Sequence, residues 1–224
     1  VPVSQSLSAQ NIWMGIYLGE DQRVGHVNMR TVPGNREDGP GVQLRVNARL
    51  QMALLGMETR LALSGSAWRS NAHGFTEFDI KVASGDHDMR ITGTARDGIL
   101  DGKIETAGEA IPFQFPVGKE LLLAGGMALP AMGLPLLAPG EEVYVDTFDP
   151  TTLSVGRAHI ECVGREVLRI GGEDVGAVIL TTTLGGMTHR AWVGPDGELV
   201  QAKTASGLTL RRIDPEAEVS ADRL

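Results

Sequence analysis

Four consecutive positions, "HIEC" at 159–162, hold a histidine, a carboxylate and the chain's single cysteine. A cysteine nucleophile needs a base within hydrogen-bond reach and surroundings that favour the thiolate. If 157–164 form a strand, successive side chains alternate between its faces. His159 and Glu161 then share one face, and Ile160 and Cys162 share the other. A local thiolate–imidazole pair is geometrically disfavoured, and Cys162 reads as a small buried hydrophobe. A distant partner stays open: His26, His73, His87 or His189.

His159 and Glu161 have the types of two metal ligands on one strand face. The H-x-E of zinc deaminases needs a later P-C-x-x-C, which a chain with one cysteine cannot supply. A solvated strand face is the simpler reading. "GDHDMR" offers Asp86, His87 and Asp88 but lacks the spaced acids and distal glutamate of a calcium loop, so it reads as a hairpin turn. Asp146 and Asp149 lie in "VDTFDP", where an acid before Pro150 suits turn initiation. "LGGMTHRAW" has no following helix or Lys-Ser/Thr and is no phosphate loop. No G-x-S-x-G or H-E-x-x-H occurs. No catalytic residue, metal ligand or cofactor is assigned.

The elements that would position these residues are strands. In "VQLRVNARLQM" the apolar set Val42, Leu44, Val46, Ala48, Leu50 and Met52 alternates with Gln43, Arg45, Asn47, Arg49 and Gln51. Period two without a fault describes a strand that is dry on one face. "TEFDIKVA", "DMRITGTA" and "ETRLALSGS" repeat it. Turn signals such as "GED", "PGNREDGPG", "RDG", "GGED" and "GPDG" separate the runs and favour antiparallel hairpins. A parallel pair needs a crossover of about a dozen residues, and only the region near 118–140 leaves room. Trp13, Trp68 and Trp192 read as core anchors or sheet-edge covers.

The chain has 224 residues, enough for a substantial core, and a formal charge of −8. That sign repels phosphate backbones, so nucleic-acid binding is not expected. One cysteine excludes an internal disulfide framework. The most apolar stretch, 121–140, is interrupted by Gly125, Gly126, Pro130, Gly133, Pro135, Pro139 and Gly140. It falls short of the roughly 20 uninterrupted apolar residues of a membrane-spanning helix, and short helical pieces or a buried loop are expected there. "VPVSQSLSAQ" has neither the basic start nor the apolar core of a signal peptide.

The expected fold is mainly β: one large curved antiparallel sheet, a half-barrel, with short helical segments packed on its concave face. One domain is expected over 1–213, with 214–224 as a polar tail or linker.

Two segments carry a resemblance. "IWMGIYLGEDQRVGHV" pairs an aromatic strand with a Gly-acid turn and a return strand. The stretch from "TFDPTTLSVG" to "AWVGPDGELVQAKTASGLTL" runs from an FDP element through a strand meander. Together they resemble the β-rich region ahead of the catalytic core in bacterial transglutaminase-like envelope proteins. They are also similar to lipoprotein-carrier-like (LolA-like) periplasmic sheets. The resemblance covers about 11 to 213 and implies an extracytoplasmic location and an apolar groove. It carries over no catalytic residue, because Cys162 lacks the helical context of such a core. A catalytic domain beyond Leu224 is the partner it implies.

The functional expectation is a non-catalytic extracytoplasmic domain. It binds an apolar small molecule, a lipid or a protein on the curved sheet, or serves as accessory domain to a transglutaminase-like enzyme. The candidate groove residues are Met52, Met57, Met89, Met127 and Met132, whose flexible thioethers suit a greasy ligand. The alternative is a cysteine-dependent enzyme using Cys162 with a distant histidine.

Overall fold

The computed structural model describes residues 9–19, 21–37, 39–54, 57–85, 87–118, 121–123, 137–150 and 152–214. Among them are fifteen strands and no helix. The first eight are β1 (Gln10–Leu18), β2 (Gln22–Arg36), β3 (Gly39–Leu54), β4 (Met57–Ser70), β5 (Gly74–Ser84), β6 (His87–Arg96), β7 (Ile99–Thr106) and β8 (Glu109–Pro116). A three-residue strand follows, β9 (Leu121–Leu123), then β10 (Glu142–Asp149) and β11 (Ser154–Ile170). The last four are β12 (Glu173–Leu184), β13 (Met187–Val193), β14 (Leu199–Lys203) and β15 (Leu208–Arg212).

The alternation read at 42–52 becomes β3. Val42, Leu44, Val46 and Leu50 are buried, while Arg45, Asn47 and Arg49 are exposed. The same logic builds β1, where Ile12, Met14 and Ile16 face inward. The hairpin signals hold as well. Gly171 and Gly172, at φ 59° and 90°, join β11 to β12, as a two-residue hairpin with both central residues left-handed requires.

The half-barrel expectation is corrected. The strand order β4-β3-β2-β1-β15-β14-β13-β12-β11-β10-β9-β5 returns to β4 through a further β4–β5 pairing, so twelve strands close into a barrel. Closure passes through β9, which pairs parallel with β10 from Leu121↔Asp146 to Leu123↔Phe148 and touches β5 at Gly74↔Leu121. All three leucines are buried. A short run buried on both faces carries no alternation and suits a parallel strand. This is why 121–123, expected to be helical or irregular, is instead the staple of the seam. The remaining expected helical residues, 124–136, lie outside the described residues. So does the tail from 215 onward.

β6, β7 and β8 continue the sheet beyond β5 as antiparallel hairpins. Phe113 and Phe115 of β8 and Phe78 of β5 meet at Phe148 of β10, whose ring lies 5.6, 5.9 and 5.5 Å from theirs. The interior is filled by side chains such as Met14, Leu44, Ile91, Leu100, Ile160, Leu180 and Leu210, each essentially free of solvent. Fully burying one such side chain contributes about 1.5–3 kcal/mol. A small second cluster of Ala177, Trp192 and Val200 packs apart from this core.

Candidate functional site

Cys162 is 0% exposed and belongs to the main core with Ile160 and Leu180. Its thiol points at the Gly164 carbonyl, 3.6 Å away. Its backbone is clamped as well: the Cys162 N–H donates to the Glu141 carbonyl and the Gly140 N–H donates to the Cys162 carbonyl. Among the described residues no histidine lies within hydrogen-bond reach of the sulfur. The cysteine therefore packs as a small hydrophobe, as the strand alternation implied.

His159 stands on the other face of β11, as the alternation also required. It meets the Glu142 carboxylate at 2.8 Å and stacks on Tyr144 at 4.6 Å between ring centroids. Arg157 covers the same tyrosine at 5.4 Å. This is a cross-strand surface cluster of β10 and β11. Glu161 pairs in register with Glu142 and adds no ligand set. Among the described residues no three His, Cys, Asp or Glu side chains converge to hold a metal.

Of the five candidate methionines, Met52, Met57 and Met89 fall on described strands. Met89 is partly buried against the core on β6. Met52 and Met57 belong to the β3–β4 hairpin, in register with Thr59 and Leu54. Met127 and Met132 lie outside the described residues.

An apolar hollow exists elsewhere. β11 carries a bulge between Cys162 and Gly164, where the register slips against β12. Beyond it the long β11–β12 hairpin shifts phase. Val167 is left 66% exposed. With Val178, Val193, Leu137 and Pro195 it lines a hollow of about 710 Å³, and Arg165 stands at its margin. Arg165 has no ion-pair partner among the described residues. Glu166, also on the lining, is committed to the indole of Trp192 at 2.6 Å. Sequence reasoning missed these residues because the bulge shifts the phase of "ECVGREVLRI". The only trace of it is a valine at 163 and another at 167, out of step with Ile160 and Cys162.

No family model matches the chain, and no curated protein matches it. Among solved structures it is similar to the crystal structure of a β-barrel-like protein of the domain of unknown function DUF1849 from Brucella abortus. That likeness covers 94% of this chain and 98% of that one, at 10% identity and a TM-score of 0.63. Fold and site together define an all-β, barrel-like domain. The narrower resemblance to transglutaminase-like or lipoprotein-carrier-like proteins is not confirmed. Among the described residues no helix is long and apolar enough to cross a membrane.

Proposed function

We propose that this chain is a non-catalytic, extracytoplasmic binding module whose β11–β13 hollow takes a single-chain amphiphile with an acidic head. One observation carries the reading: an open hollow of ligand size lined by Val167, Val178, Val193, Leu137 and Pro195, together with Arg165, which has no ion-pair partner among the described residues. Pockets of about 300–1,000 Å³ hold small organic ligands. Each acyl methylene buried there contributes about 0.8 kcal/mol, and a guanidinium forks onto a carboxylate. The buried thiol, with no hydrogen bond to a histidine among the described residues, argues against the cysteine-enzyme alternative. The envelope location rests on the resemblance of the opening and late segments. Fractionation of cells expressing the full reading frame tests it.

The binding reading is tested by titrating a fluorescent fatty-acid probe. Wild type is expected to bind, Val167→Asp to weaken binding at least tenfold, and Arg165→Gln to weaken the acid more than the matching alcohol. Absence of binding, or identical affinity in Val167→Asp, overturns it.

A further inference from the structure

A second concavity lies on the outward face of the barrel and owes nothing to the apolar hollow. It measures about 740 Å³ and runs from Trp13 on β1 to Glu105 on β7. Strand register explains how residues so distant in sequence meet. Trp13 faces Asn28, Asn28 faces Asn47, and Asn47 faces Ser64. Ser64 then faces Lys81, Lys81 faces Arg90, and Arg90 faces Glu105. Directly opposed residues of antiparallel strands share a face, so these seven side chains form one outward row. From Trp13 to Lys81 the row crosses four strand spacings, about 19 Å.

The row is ordered by chemistry. At one end Trp13 stands beside His26, ring centroids 5.8 Å apart. The middle is low and neutral: Asn47 and Ser64, with Ala62 and Ala83 in the adjoining row. Ala48, Leu63, Val82 and Met89 pack against the core, so what they lend the groove is mainly backbone. The far end is charged.

The charges do not cancel. Arg90 is saturated, with Asp79 at 2.9 and 2.6 Å and Glu105 at 3.9 Å. Arg49 and Lys81 also line the groove, and neither has an ion-pair partner within 4.0 Å among the described residues. Asp88 is the remaining acid on the lining. One row away Arg30 faces Arg45, both exposed and likewise unpaired. A chain of net charge −8 thus gathers four cations without an ion pair among the described residues on the outward face of β2, β3 and β5, Lys81 acting on Asp79 only at longer range. Such a patch draws anions.

We propose that this groove binds an acidic saccharide, a short chain of sugar rings bearing carboxylates. Each part of the row answers one part of that ligand. The indole of Trp13 offers an amphipathic platform to the apolar face of a ring. Asn47 and Ser64 offer donors and acceptors to hydroxyls. Arg49, whose fork matches a carboxylate, and Lys81 receive the acid. A compact phosphate would use the cations alone and leave the aromatic end idle. A neutral glycan would leave the cations idle.

The test is direct because Trp68 and Trp192 are buried, so an added saccharide reaches the indole of Trp13 alone. The probes are trigalacturonate, its fully methyl-esterified form, a glucuronate-containing oligosaccharide and inorganic phosphate, read by tryptophan emission and calorimetry. Trigalacturonate or the glucuronate oligosaccharide is expected to bind and to shift the emission. The ester is expected to bind at least tenfold more weakly. The Arg49→Gln, Lys81→Gln double variant and Trp13→Ala are each expected to lose tenfold or more. All three positions are at least partly exposed, and a circular-dichroism melt checks that the fold is kept. Fatty-acid probe binding is expected to be unchanged in these variants, which separates this site from the hollow. No binding of either acidic oligosaccharide overturns the proposal. So does equal binding of the ester, or phosphate competition with no dependence on Trp13.

Discussion

The indole N–H of Trp192 donates to the Glu166 carboxylate at 2.6 Å, reaching from β13 over β12 to β11. Trp192 is only 5% exposed, although it packs with Ala177 and Val200 outside the main core. Glu166 is therefore both the acceptor for a buried donor and part of the lid over a small apolar cluster. The bond fixes the β11–β12 hairpin beside the apolar hollow, which Glu166 also lines.

Removing that acceptor leaves the indole N–H buried without a partner, at a cost of about 1–3 kcal/mol. Glu166→Ala is expected to lower the urea midpoint accordingly and to move the tryptophan emission. Glu166→Gln keeps an acceptor at the same place and is expected to cost much less. Equal loss in both variants would show that the carboxylate matters through its charge alone.

The β7–β8 hairpin turns on Ala107 and Gly108, at φ 50° and 82°. Its counterparts place glycine or aspartate at the first position: Gly171, Gly185 and Asp97. A left-handed conformation costs a residue with a β-carbon about 1–2 kcal/mol. Ala107→Gly or Ala107→Asn is expected to raise stability by roughly 1 kcal/mol in a denaturant melt. Gly108→Ala, at the same turn, is expected to lower it.

Cys162 gives a kinetic prediction. Its sulfur is enclosed by the core, so an alkylating reagent reaches it only when β11 opens. Labelling in native buffer is expected to be slow and to accelerate with urea in step with unfolding. Rapid labelling at neutral pH would show an access route to the thiol and revive the cysteine-enzyme reading.

How much of this was legible beforehand depends on the range over which each feature is encoded. Strands and their dry faces follow from period two within a few residues, so β1 and β3 could be read from Ile12, Met14 and Ile16 or from Val42 to Met52. The inert face of Cys162 followed the same way. Closure could not be read so, because it depends on Leu121–Leu123 meeting both β10 and Gly74, contacts with no local period. Trp13 was expected as a core anchor or edge cover, yet its neighbours Ile12 and Met14 already place it on the wet face of β1. The carbohydrate groove needed the register of seven strands, which alternation leaves free. The apolar hollow needed a bulge. Methionine is ambiguous at this level, because a flexible thioether fills gaps in a core as readily as it lines a groove.

Phe148 ties the seam to the hairpins beyond it, since its ring meets Phe78 of β5 and Phe113 and Phe115 of β8. Phe148→Ala is expected to cost about 3–5 kcal/mol. The loss should not be uniform. Hydrogen exchange is expected to accelerate most in β6–β8, which lean on this ring, and least in β13–β15. Uniform acceleration would mean that the hairpins and the barrel open as one unit.

His189 supplies the pH dependence. Burial lowers its pKa below the ordinary histidine value of 6.5. Its Nδ1 also accepts the Ala205 N–H at 3.4 Å, a bond that a proton on that nitrogen removes. The folded state therefore prefers the neutral ring, and the unfolded state takes up the proton first. Stability linked to this group is complete above pH of about 6.5. It declines as pH falls from there through the lower folded pKa, and levels off once both states are protonated. Urea midpoints measured from about pH 8 down to about pH 5 are expected to fall across that window in wild type. His189→Gln, which has no proton to gain, is expected to show a flatter profile there and to differ less from wild type at the acid end. Parallel profiles for the two proteins would mean that another group governs the acid limb, and that His189 is charged as readily in the barrel as in the unfolded chain.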